Sequence, residues 1–94
     1  MENSEREEVQ FKKGENGEKP DVKASLIKRG FKVVGGTDVR QQLRDSERGI
    51  LATYVPGKDL TSVSLSKEYG SREPKAYREV AEALREEHSD YVVR

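Results

Sequence analysis

The sequence predicts an α+β domain. A short helix, a three-stranded antiparallel sheet and a C-terminal helix follow in the order α-β-β-β-α, behind a disordered N-terminal tail. Three observations carry this expectation. Along Leu60–Ser66, Val63 and Leu65 alternate with Ser62, Ser64 and Ser66, the period of a half-buried strand. Tyr77, Val80, Ala81 and Leu84 recur at helical spacing among charged residues. The first twenty residues hold only Val9 and Phe11 as sizeable apolar groups besides Met1.

Residues 1–19 read as a solvated tail, and residues 20–94 as one small domain. Glu and Lys dominate the tail and Gly14, Asn16 and Gly17 punctuate it, so little surface is available to offset the entropy of ordering. Deletion of residues 1–18 is expected to leave thermal stability nearly unchanged. Pro20–Asp21 then signals a helix start, Asp being a good N-cap. Val22, Ser25, Leu26 and Ile27 supply a narrow stripe, and Gly30 a stop, with Phe31 placed to fold back on the helix.

From Phe31 to Tyr69 the pattern is a meander. The first strand runs through Phe31 and Val33 to Val39–Arg44, interrupted by a bulge or bend at Gly35–Gly36. A helical Val39–Arg44 is the alternative, since Arg, Gln and Leu favour helix. After the turn Asp45–Gly49, the second strand Ile50–Val55 stops at Pro56–Gly57, and Leu60–Ser66 is the third. Gly70–Ser71 breaks the sheet, with Ser71 as candidate N-cap of the last helix and Glu73 and Pro74 in its first turn. Val92–Val93 forms a short extra strand or docks the C-terminus.

Composition narrows the function classes. The absence of cysteine removes disulfides and thiolate metal sites, and no run of about 18 apolar residues offers a membrane helix. The acidic N-terminus lacks the apolar stretch of a secretory signal, so a cytoplasmic setting is expected. Net charge is zero but unevenly spread. Residues 1–20 carry six acids and four bases, residues 21–72 six acids and ten bases, and residues 73–94 six acids and four bases. The positive excess thus falls on the expected sheet.

Catalytic constellations are hard to find. His88 is the sole histidine and reads as a partly exposed residue near a helix end. One histidine and no cysteine leave zinc without its usual ligands. Gly35–Gly36 lacks the spacing of a phosphate loop, and Asp38, Asp45, Glu47 and Asp59 fall at expected turns, where acids are common. The expectation is therefore a protein that is not an enzyme and needs no cofactor or metal. If Val63 and Leu65 pack on the last helix, Ser62, Ser64 and Ser66 face outward, with Arg40, Gln42 and Arg44 on the first strand and Thr53 on the second. These side chains suit phosphates and base edges. The expected function is nucleic-acid binding, DNA ahead of RNA, through Lys28, Arg29, Lys32, Arg40, Gln42, Arg44, Arg48, Thr53, Lys58 and Ser64, as in a viral or mobile-element regulator. The alternative is a small protein-binding adaptor or inhibitor that uses a sheet edge or the acidic helix.

Two families share features with these segments. Arg40–Glu86, and in particular Leu60–Gly70 followed by the alanine-bearing helix, resembles the three-stranded-sheet DNA-binding domains of the AP2 and integrase N-terminal type. That resemblance implies that Arg40, Gln42, Arg44, Thr53 and Ser64 lie in the major groove, although the usual tryptophan is missing and the helix is acidic. Leu26–Ile27–Lys28–Arg29–Gly30–Phe31 and the strands that follow it, to near Pro56, are similar to the HicA toxins. Those are small ribonucleases with a double-stranded-RNA-binding-like α-β-β-β-α fold. Their catalytic histidine follows a Gly-Ser pair after the first strand. Here the neighbourhood reads Gly36–Thr37–Asp38, so that activity does not carry over.

Overall fold

The computed structural model describes residues 6–93. It is an α+β structure with five strands rather than three. The order is β1 (Arg6–Lys12), α1 (Val22–Lys28), β2 (Lys32–Thr37), β3 (Arg40–Asp45), β4 (Ile50–Pro56), β5 (Leu60–Lys67) and α2 (Ala76–Glu87). All neighbours in the sheet are antiparallel, in the spatial order β1-β5-β4-β3-β2. Four strands follow one another as hairpins. β1 closes the far side against β5, so α1 carries the chain from one sheet edge to the other.

Two corrections separate this fold from the expected α-β-β-β-α. The expected first strand is a hairpin. Thr37 pairs with Arg40 around the two-residue turn Asp38–Val39, and a register shift between Val33 and Gly35 makes the bulge. Gly36 is the enabling residue. Its φ is +106°, and a Cβ there would collide with the Arg40 carbonyl oxygen. Val39 lies in the turn and Arg40–Asp45 is a strand, so the helical alternative is excluded.

The second correction is at the N-terminus. Arg6–Lys12 is not disordered tail but an edge strand in register with β5, from Arg6 opposite Ser66 to Lys12 opposite Leu60. Val9 and Phe11 sit two apart, so both point to the same side, and both are fully buried. Two apolar residues in a charged run cannot nucleate structure locally; docked on a preformed sheet they complete its core. The stretch after β1 is also tied down. Lys13 pairs with Asp59 at 3.2 Å, and Lys19 Nζ donates to the Gly57 carbonyl at 2.8 Å. Residues 1–5 of the expected tail lie outside the described residues.

The helices form one layer on one face of the sheet. α1 begins where expected, with the Asp21 carboxylate accepting from Ala24 N at 3.1 Å. It ends in a Schellman motif: Phe31 N donates to the Leu26 carbonyl, Gly30 N to that of Ile27, and Gly30 has φ +103°. α2 packs chiefly on β1 and β5 and buries Tyr77, Val80, Ala81 and Leu84. It starts at Ala76, later than Ser71. The Ser71 hydroxyl instead donates to the Arg48 carbonyl at 2.8 Å and accepts from Glu73 N at 3.2 Å, bracing the turn before the helix. Beyond α2 the chain returns along β1. Val92 bridges Phe11, Lys12 N donates to the Tyr91 carbonyl and Val93 N to that of Gln10, each at 2.8 Å. The core therefore lies between the two helices and the inward residues Val9, Phe11, Leu43, Ile50, Val63 and Leu65.

Candidate nucleic-acid interface on the open face of the sheet

Strand alternation sends the remaining side chains to the uncovered face, and the pairing registers order them into rows. One row reads Arg6, Ser66, Leu51, Arg44, Lys32 across the five strands; the next reads Glu8, Ser64, Thr53, Gln42, Gly35. A third begins Gln10, Ser62, Val55 and is completed on the hairpin by Arg40 and Thr37. Among the strand residues of this face Arg6, Lys12, Lys32, Arg40 and Arg44 are basic, and Glu8 is acidic.

Arg6 and Arg40 approach from opposite sides of the sheet. With Glu8, Thr53, Val55, Ser62 and Ser64 they line a shallow hollow of about 270 Å³. Its floor is two serines and a threonine, each able to donate one hydroxyl hydrogen bond. Neither arginine has an ion-pair partner among the described residues. Arg44 is committed to Glu68, with Nε to Oε2 at 2.7 Å, although half its side chain remains exposed.

The sequence-predicted residues therefore divide. Lys32, Arg40, Gln42, Arg44, Thr53 and Ser64 lie together on the open face. Lys28 and Arg29 do not: they are the last residue and the C-cap of α1 in the helix layer, where Arg29 bonds Glu87 at 2.7 Å and the Ser25 carbonyl at 3.2 Å. Arg48 is held by the buried carboxylate of Asp45 at 2.9 Å, whose other oxygen accepts from Glu47 N and Arg48 N. Lys58 is exposed in the β4–β5 turn, at the end of the sheet. Sequence reasoning missed Arg6 by assigning it to the tail. The period-two placing of Val9 and Phe11, with Arg6, Glu8 and Gln10 opposed to them, was the signal.

The groove insertion that the AP2-type resemblance implies does not suit this sheet. Five strands about 4.8 Å apart put the outer two roughly 19 Å from one another, against a major groove about 12 Å wide. The strands also place no aromatic side chain on the open face. Phe11 is buried on the helix side, and Tyr54, opposite Val63, packs on the core. What the face can do is present cations and hydroxyls to an array of phosphates.

His88 has company that the sequence did not reveal. It caps α2 and packs edge-on against Phe11, with ring centroids 5.6 Å apart. Its Nε2 lies 2.8 Å from Ser25 Oγ, and Ser25 Oγ donates to Glu87 Oε2 at 2.9 Å. A serine, a histidine and an acid meet here without a proton relay. In a catalytic triad the acid orients the far nitrogen of the imidazole, whereas this glutamate accepts the hydrogen bond of the serine hydroxyl itself. Ser25 is 4% exposed, out of reach of a substrate. Hydrogen bonds from Arg29 and Ser25 hold the Glu87 carboxyl below the ordinary glutamate range. The cluster joins α1 to α2.

No group of three or more potential metal ligands occurs among the described residues, and no helix there is long and apolar enough to cross a membrane. No family model matches the chain, and no curated protein or solved structure matches it significantly. Both family resemblances therefore stand as likenesses of the segments that carry them.

Proposed function

We propose that this protein binds nucleic acid through the open face of its five-stranded sheet, contacting the phosphate backbone of a duplex. One observation carries the reading. Arg6 and Arg40, both without intrachain ion partners among the described residues, converge over a hydroxyl-bearing floor on a face whose strand cations outnumber its acids. Two guanidiniums about a Ser/Thr floor match the forked, anionic geometry of phosphate oxygens. Glu8 at the rim discourages indiscriminate anion binding and favours ligands that present several phosphates. The lack of aromatics on the face removes the stacking that single strands need, so duplex is favoured over single strand.

Fluorescence anisotropy against random duplex DNA, duplex RNA and single-stranded DNA tests this. Duplex affinity on the order of 1–100 µM near physiological salt, with a log–log salt slope of about −4, is expected for four or five phosphate contacts. The double variant Arg6→Ala/Arg40→Ala should flatten that slope by about 2 while leaving the circular dichroism unchanged. Absence of duplex binding at low salt would exclude the reading and favour the protein-binding alternative.

A further inference from the structure

The two edges of the sheet are treated differently. The outer side of β1 is covered by the chain's own residues Tyr91–Val93, through the bridge and hydrogen bonds described above. The outer side of β2 receives no backbone hydrogen bond from any other element among the described residues. All six of its residues are exposed. Exposed large apolar side chains also gather there. Of eight such residues among those described, Val33 and Val34 are in β2, Val39 is in the turn after it, and Ile27 is in the last turn of α1, just before it. Val34 and Val39 are 52% and 71% exposed. Edge strands of soluble proteins are usually blunted by charge, proline or a cover, and here Lys32 is the strand's sole charge.

We propose that β2 pairs antiparallel with β2 of a second copy of this chain, joining the two sheets into one of ten strands. The bulge selects the register. Lys32, Gly35 and Thr37 share the open face with Arg44, Gln42 and Arg40, while Val33 and Gly36 share the helix face with Leu43 and Gln41. A two-fold pairing must put like faces opposite one another. It does so when Lys32 faces Thr37 of the second copy, Val33 faces Gly36, and Val34 faces Gly35. Gly35 has room for this: a Cβ there would meet nothing closer than Gln42 Oε1 at 3.9 Å.

Charge points to the same occupant. Asp38 directly follows Thr37 at the start of the β2–β3 turn, so in this register Lys32 of each copy lies one residue along from the turn residue Asp38 of the other, twice across the two-fold. Neither residue has an ion-pair partner within the chain among the described residues. A partner strand of different sequence would have to supply both the acid and the base at matching positions; a second copy does so automatically. The inference stands apart from the nucleic-acid reading, although the joined sheet would extend the row Arg44–Lys32 towards Arg40 of the second copy.

Sedimentation equilibrium of the full chain, at concentrations up to about 1 mM to reach weak contacts, tests the pairing. The expected result is a rise in weight-average mass from 10.7 kDa towards twice that value. Val34→Lys, which places a charge on the free edge, should keep the protein at the monomer mass with unchanged circular dichroism. Lys32→Glu and Asp38→Lys should each weaken self-association at least several-fold, and the double exchange should restore it. A wild type that stays monomeric across the range overturns the proposal, as does a dimer indifferent to Val34→Lys. Self-association that the double exchange fails to restore overturns the register.

Discussion

Glu87 shows how much a single side chain can be asked to join. It receives Ser25 of α1 and Arg29, the C-cap of that helix, while sitting at the end of α2, and those bonds lower its pKa. A carboxyl whose pKa is depressed by folding adds stability above its unfolded-state pKa, near 4.3, and loses that contribution as pH falls through the folded value. The wild type should therefore exceed Glu87→Gln in melting temperature at neutral pH, and the gap should close towards pH 3. Because the Glu87 side chain is 31% exposed, solvent screening should keep the effect within about 1 kcal/mol. A gap independent of pH would mean that the charge on Glu87 adds nothing. Val63 poses the opposite case. It is fully buried between β1 and β4, so Val63→Asp places an unpaired charge in a small core and should abolish the cooperative thermal transition.

Among the elements, β1 depends most on its surroundings. It contributes Val9 and Phe11 to the core and carries Arg6 and Glu8 on the open face. Deleting residues 1–12 should cost a large part of the stability, the reverse of what a solvated tail predicts. Phe11→Ala alone should cost about 3–5 kcal/mol, read from the midpoint of denaturant unfolding. The β2–β3 hairpin is sensitive at one position. Gly36→Ala must force a side chain into a positive-φ site against the Arg40 carbonyl, and should destabilise by more than about 1 kcal/mol. Gly35→Ala meets open space and should be much milder; equal losses at the two glycines would show that the hairpin conformation is not what Gly36 protects.

The whole molecule is a one-layer sheet with helices on one side, so everything that could meet a large flat ligand is on the other. Zero net charge conceals this, because the acids of α2 and of the helix layer lie away from the arginines of the open face. With its charges segregated in this way, the proposed duplex binding should weaken steeply with salt while the protein's own melting temperature barely moves, since most of its ion pairs are solvent-screened. Parallel melting curves in about 50 mM and 500 mM salt would check the second half of that statement.

Much of the local structure was legible in the sequence. The cap of α1 at Asp21, its stop at Gly30, the alternation of β5 and the apolar stripe of α2 rest on neighbouring residues, and each is where those residues place it. The outward placing of Arg40, Gln42, Arg44, Thr53 and Ser64 followed from the same period of two. What local pattern could not decide was partnership. A charged segment with two apolar residues is a tail or a strand depending on whether a sheet offers it an edge, and only the core between β5 and α2 makes β1 form. Whether Gly35–Gly36 bends one strand or shapes a hairpin depends on which strand lies opposite. The hollow between Arg6 and Arg40 joins residues thirty-four positions apart, and tertiary pairing brought them together because burying Val9 and Phe11 leaves Arg6 no other side of the sheet to face.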